Sequence, residues 1–145
     1  KTHLSFFYER WSNEFPEIKV DDSTRPIEKM ILNCRLFVYG FNGTGYLETM
    51  LRNIPTVIFW NPSNWELRDS AKPYFQLLQE VGIFHETPES AAQHVLKVWG
   101  DVSSWWEDPH LQTVRKQFCD QYARMSNSPI LDLKKAITTV KSTYK

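Results

Sequence analysis

Apolar and polar positions along this chain fall into two rhythms, one of strands and one of helices. Residues 35–39 and 56–60 are short apolar runs rich in β-branched and aromatic side chains and bounded by Gly and Pro, the pattern of buried strands. Between them Leu47, Met50, Leu51 and Ile54 recur at helical spacing. The segment therefore predicts a strand, a loop over Asn42-Gly43-Thr44-Gly45, a helix and a second strand. Upstream, Leu4, Phe7, Tyr8, Trp11 and Phe15 predict a helix over 4–15 that Pro16 stops, and 18–20 reads as a short strand ending at Asp21-Asp22. Thr24-Arg25-Pro26 opens a helix to about Asn33, since Pro is tolerated in a first helical turn. Downstream of the second strand, 61–65 is a loop and a helix runs from about Glu66 to Val81, in which Pro73 predicts a kink or a break. Gly82 is its terminator and 83–85 a last strand. Thr87-Pro88, Asp108-Pro109 and Ser128-Pro129 each set a capping side chain before a Pro at the first helical position. The stripes Leu111, Val114, Phe118, Tyr122 and Ile130, Leu133, Ile137, Val140 give the last two helices their apolar faces.

Strands alternating with helices imply a parallel sheet with right-handed crossovers. The fold class expected is α/β: a Rossmann-like parallel sheet flanked by helices, with a helical C-terminal tail from about 108 to 145. At 145 residues the chain fits one domain over 1–145 with a single core. It opens on Lys1 rather than Met and enters patterned sequence at once, so it reads as a piece of a longer polypeptide.

Composition adjusts this picture in three places. Seventeen basic and 17 acidic residues cancel, which argues against the broad electrostatic footprint of a nucleic-acid binder. Six Trp, nine Phe and six Tyr exceed the needs of a minimal core and leave aromatics for a pocket or an interface. Trp99, Trp105 and Trp106 are read first as packing residues of the C-terminal helices and second as sugar-stacking groups. Cys34 and Cys119 match no metal or redox spacing and read as reduced core thiols of a cytosolic protein. No apolar run is long enough to span a membrane.

Ligands of open parallel sheets sit at the carboxyl ends of the strands. Those ends lead here into Asp21-Asp22, the 41–44 loop, Asn61-Pro62-Ser63-Asn64-Trp65 and His85-Glu86, so the polar candidates converge on one edge. The Asn42, Gly43, Thr44, Gly45 loop turns directly into a helix, offering free N–H groups and the positive end of a dipole to a phosphate. The competing role for these residues is helix capping, with Gly serving backbone geometry. Asn61, Asn64, Trp65, Glu66 and Arg68 form a second group, in which Trp65 would stack on a base or sugar and Arg68 would grip a phosphate or carboxylate with both nitrogens. The alternative is a structural loop with Trp65 packed over the sheet and a Glu66/Arg68 surface pair. His85 is a candidate phosphate contact or acid/base, with capping of the next helix as its other role. Asp21-Asp22 reads as turn chemistry rather than a metal site, and His3, His94 and His110 read as surface residues.

The run from Asn42 through Glu48 to Trp60 resembles the core of the C-terminal half of GT-B glycosyltransferases. The stretches Phe59 to Arg68, Ala71 to Phe75, Gly82 to Ala92 and Trp99 to Trp106 are more specific. Together, over about 10–125, they are similar to a family of bacterial transferases for surface carbohydrates, found for instance in spirochaetes. The resemblance implies a glycosyltransferase of cell-surface polysaccharide biosynthesis whose donor-binding half this is. Its partners would be a nucleotide-sugar donor, an N-terminal half of the same polypeptide and a glycan or lipid-linked acceptor, with no nucleic acid, no metal and no cofactor beyond the nucleotide sugar. It also implies a cytoplasmic location, free or peripheral at the inner membrane. Glu48 matches the acidic position that holds the donor ribose, and a carboxylate suits a ribose diol. No Glu-x(7)-Glu motif is present, and no motif identifies a catalytic base. A nucleotide-sugar epimerase of the same shape and a non-catalytic Rossmann-like interaction module are the alternatives.

Overall fold

A computed structural model describes residues 3–21 and 24–143, which form two compact units, one through Cys34 and one from Arg35 onward. In the first unit, helix α1 (His3–Glu14) matches the apolar spacing of its sequence and is followed by the turn at Pro16. The strand expected over 18–20 is absent. Ile18 N–H instead donates to Phe15 O at 3.0 Å, so the chain turns back rather than extends. Helix α2 (Ile27–Ile31) is shorter than its signal: Pro26 has ψ of 130°, extended, so it stands before the helix as a cap instead of opening it. Asp21 faces Arg25 at 3.7 Å, consistent with turn chemistry, while Asp22 lies outside the described residues. The Cys34 thiol is half-buried and donates to Ile31 O.

The second unit carries the sheet. Strands β1 (Phe37–Tyr39), β2 (Thr56–Phe59) and β3 (Phe84–His85) are parallel and ordered β1-β2-β3. Phe37 pairs with Thr56 and Ile58 with Phe84. Helix α3 (Gly45–Leu51) crosses from β1 to β2 and helix α4 (Lys72–Glu80) from β2 to β3. Helices α5 (Pro88–Val98), α6 (Val102–Trp106), α7 (Pro109–Tyr122) and α8 (Pro129–Thr143) follow. Central β2 is the buried strand, with Val57 and Ile58 fully covered. Expected as an equally buried strand, β1 has only one neighbour among the described residues and leaves Val38 47% exposed.

The C-terminal helices divide. Helix α7 packs on α3 and α4, burying Leu111, Val114, Phe118 and Cys119 in the same core as Met50, Ile58, Leu78 and Phe84. It is a layer of the domain rather than a tail. Its first turn is held as its sequence predicts, the Asp108 carboxylate accepting the N–H groups of His110 and Leu111, and Thr87 does the same for Ser90 in α5. Helix α8 exposes Ile130, Leu133 and Ile137.

Both crossover helices return to the sheet by the same device. At the end of α4, Gly82 adopts φ of +77°, its N–H donates to Gln79 O and Ile83 N–H reaches back to Leu78 O. At the end of α3, Asn53 adopts φ of +58°, its N–H donates to Met50 O and Ile54 N–H reaches Thr49 O. These are paired Schellman closures, which satisfy the last helical carbonyls and aim the next residue into a strand. Two long-range donors complete the α3 end. The buried Arg115 guanidinium donates to Met50 O at 2.6 Å, and the Trp106 indole N–H donates to the Asn53 carbonyl and side chain at 3.1 and 3.0 Å.

Helix α4 corrects the expectation of one helix from Glu66 to Val81. Residues 61–71 are turns, and Pro73 stands in the first turn of α4, where its missing N–H costs nothing. The freed 66–71 segment wraps over the carboxyl edge of the sheet.

Candidate functional site at the carboxyl edge of the sheet

Following each strand to its carboxyl end leads to a pair of adjoining hollows. The first has a volume of about 460 Å³ and is lined by Asn42 and Tyr46 from the β1–α3 segment, Arg68 and Ser70 from the β2–α4 segment, and Gln121 and Tyr122 from the end of α7. The second, also about 460 Å³, opens between the 62–67 loop, α4 and the residue after β3, Glu86. Glu66, Leu67 and Phe75 line both, so the 66–68 segment is the partition between them.

The aromatic floor follows from the sequence. Trp60, at the end of β2, is buried and contacts the rings of Tyr46, Phe75 and Phe84 at centroid distances of 5.7, 5.5 and 4.8 Å. Its indole N–H is buried without a hydrogen-bond partner among the described residues. Tyr46 packs inward and points its hydroxyl at the Asn42 side-chain oxygen, 3.4 Å away. Burial, reinforced by Tyr122 and Tyr39, pushes its pKa up to about 12. Tyr46 is thus a neutral hydrogen-bonding group at any physiological pH, not a base. Tyr122 donates to Ser70 O at 3.4 Å, tying the end of α7 to the wrapping segment.

The expected site residues separate on this framework. Asn42 and Arg68 come together in the first hollow. Gly43 and Gly45 lie under Tyr39 and Phe41: a Cβ at Gly43 would stand 2.6 Å from the Phe41 ring and 2.7 Å from the Tyr39 hydroxyl, and one at Gly45 3.0 Å from the Tyr39 ring. Neither glycine has positive φ, so both are required by close packing of rings on the loop. Thr44 occupies the cap position of α3 but its hydroxyl makes no capping bond. Glu48 is exposed in the first turn of the same helix. Asn61 accepts the Ser63 N–H at 2.8 Å, and the backbone of Asn64 and Trp65 closes on the Asn61 carbonyl, forming a compact turn that leaves Trp65 46% exposed. Glu66 and Arg68 form no ion pair among the described residues.

His85 is turned away from the edge. Its Nε2 lies 3.0 Å from the Gly82 carbonyl, and burial lowers its pKa. Thr87, not His85, caps α5. His94, read from the sequence as a surface residue, is wedged between His85 and Trp105 at centroid distances of 5.1 and 4.9 Å. Its Nε2 is buried with no hydrogen-bond partner among the described residues, and burial, with help from His85 and Lys97, pulls its pKa down to about 4. His110 is exposed as expected, and the His3 side chain lies outside the described residues. Trp106 and Trp105 pack as read, while Trp99 is half-exposed under the Arg35 guanidinium, 4.8 Å from its ring.

Tyr46, Gln121 and Tyr122 are among the lining residues that the linear pattern did not single out. Tyr46 sits inside the small-residue motif, and Tyr122 reads as the last member of an apolar stripe; both carry a hydroxyl that core packing alone does not need. Among the described residues no group of three or more His, Cys, Asp or Glu is arranged to hold a metal, and no helix is long and apolar enough to cross a membrane.

The sequence model of the LIC12162 family transferase matches residues 3–137, and the chain belongs to that family. No curated protein and no solved structure matches it.

Proposed function

We propose that this member of the LIC12162 transferase family is the donor-binding part of a glycosyltransferase, holding a nucleotide sugar at the carboxyl edge of its sheet. The observation that supports this reading is the convergence of Asn42, Tyr46 and Arg68, from two successive strand–helix connections, on one hollow with an aromatic floor. Arg68 presents a planar guanidinium suited to two phosphate oxygens. Asn42, whose side-chain oxygen accepts from the Tyr46 hydroxyl, presents a neutral amide donor to a diphosphate. In transfer, the sugar–phosphate bond breaks and negative charge grows on the leaving phosphate oxygen, where Arg68 would stabilise it. Glu48 is the proposed ribose contact and Trp65 the proposed stacking surface for the base. Of the other residues read from the sequence, Gly43, Thr44, Gly45, Asn61, Asn64 and His85 do not line this hollow, and no phosphate contact is proposed for their side chains. The new bond would form from the sugar's anomeric carbon to a hydroxyl of the acceptor, a glycan or lipid-linked saccharide of the cell surface. The site for that acceptor and the base that takes its proton would lie in another part of the same polypeptide.

The test is titration of the chain with UDP, GDP and CMP, followed by backbone and side-chain NMR. Shifts should centre on Asn42, Tyr46 and Arg68 for one of the three. Arg68→Ala should weaken that binding about tenfold, the effect of losing a charge-assisted hydrogen bond. An unchanged affinity in Arg68→Ala, or no shift with any of the three, would refute the assignment.

A further inference from the structure

The second hollow differs from the first in its balance of charge. Its floor is Phe75 and Phe84; Gln76 and Gln79 stand one helical turn apart on α4 and present amides, and Glu66 and Glu86 present carboxylates from two different loops. Lys72 also lines it, but its ammonium is held by Asp69 at 2.7 Å. Neither Glu66 nor Glu86 has an ion-pair partner among the described residues. Two carboxylates against one ammonium make the hollow acidic on balance, whereas in the adjoining one Arg68 offsets the shared Glu66.

We infer that this second hollow is a glycosyl subsite for a sugar carrying hydroxyl or ammonium groups, and that it rejects sugars bearing a carboxylate. The inference rests on the donor reading above and assigns the two ends of the donor: phosphates on the Arg68 side of the partition, sugar on the Glu66–Glu86 side. The physical ground is matching of groups. Carboxylates and amide oxygens accept from hydroxyls and ammonium, the amide N–H groups donate to hydroxyl oxygens, and the two rings give the apolar face of a pyranose a floor. A carboxylate in the same place meets two like charges against one ammonium, Lys72, which Asp69 already pairs and Glu66 attracts, a repulsive balance of the kind that sets specificity. The shared residues Glu66, Leu67 and Phe75 make the two hollows neighbours, as the two ends of one donor require.

The experiment uses separate probes for the two ends. Methyl glucoside, methyl glucosaminide and methyl glucuronide are titrated into the chain, following the side-chain amide resonances of Gln76 and Gln79. UDP, GDP and CMP are titrated in parallel, following Asn42 and Arg68. The glucoside and glucosaminide should shift the two glutamines, and the glucuronide should bind about threefold more weakly, the size expected for exposed like charges. The pair Glu66→Gln and Glu86→Gln, both exposed and conservative, should erase that difference. Equal binding of glucoside and glucuronide in the native chain overturns the inference. So does a difference that survives both substitutions, or the absence of any glycoside shift while a nucleotide still binds. Glycoside shifts without nucleotide binding would instead overturn the donor reading and keep the subsite.

Discussion

Gly82 is the position where one added methyl group has the most to say about this fold. Two costs meet there. Its φ of +77° lies in the left-handed region, where a residue with a Cβ is disfavoured by about 1 kcal/mol. A Cβ at Gly82 would also stand 2.3 Å from His94 Cε1, 2.7 Å from Nε2 and 2.9 Å from Nδ1, so the ring would have to move. It has little room, because Trp105 packs edge-on against it and is itself fixed by an indole N–H bond of 3.0 Å to Val81 O. Forcing such a shift in a packed site costs about 1–3 kcal/mol. Gly82→Ala should then destabilise the chain by about 3 kcal/mol in total, read as a lower urea midpoint at unchanged slope. A double-mutant cycle separates the two costs. In a His94→Ala background the clash is gone, and Gly82→Ala should cost only about 1 kcal/mol, giving a coupling of about 2 kcal/mol. Equal costs in the two backgrounds would refute the wedge, and a cost below about 1 kcal/mol in the native background would refute the backbone reasoning.

Arg115→Met should cost about 2–3 kcal/mol, because it leaves the Met50 carbonyl buried without its long-range donor; urea unfolding measures it, and a loss within error of zero would mean that water replaces the guanidinium. Stability should also depend on pH through His94. Its folded pKa of about 4 lies below the 6.5 of a free imidazole, so between these values the unfolded chain binds more protons and stability rises with pH. The contribution is fully present above about pH 6.5 and is lost as the pH falls towards 4, about 2 kcal/mol after allowance for solvent screening. His85, shifted in the same direction, adds to the slope. Thermal melts from pH 7 to 4 should show this fall in the native chain and a clearly shallower one in His94→Gln; parallel curves would place the proton uptake elsewhere.

Local chemistry was the readable part of this chain. A hydroxyl or carboxylate followed by Pro needs nothing beyond its own first turn to start a helix, and Thr87 and Asp108 cap as their sequence predicts. Gly82 ends its helix for an equally local reason. The errors arise where a distant partner decides. Leu67 and Ala71 continue the helical spacing of α4 upstream, so the apolar pattern alone extends it to Glu66, although Pro73 marks the first turn. Residues 18–20 have strand composition but pair with no strand among the described residues, and Ile18 N–H turns back to Phe15 O instead. The His94 environment is set by a positive-φ glycine 12 positions earlier, and no periodicity reports it. At the candidate site, Asn42 and Arg68 were legible because they follow strands. Tyr46 and Gln121 share a hollow only because α7 lies across α3 and α4.

The Arg115–Met50 bond spans 65 positions, and that separation bears on synthesis. The β1–α3–β2 unit leaves the ribosome well before α7, whose residues Leu111 to Phe118 cover it and whose Arg115 satisfies its last turn. At translation speeds of about 5–20 residues per second, the early unit waits for several seconds with its apolar face open to water or to a chaperone and the Met50 carbonyl lacking its Arg115 donor. The half of the sheet that is made first is thus completed late, by a helix encoded after both crossovers.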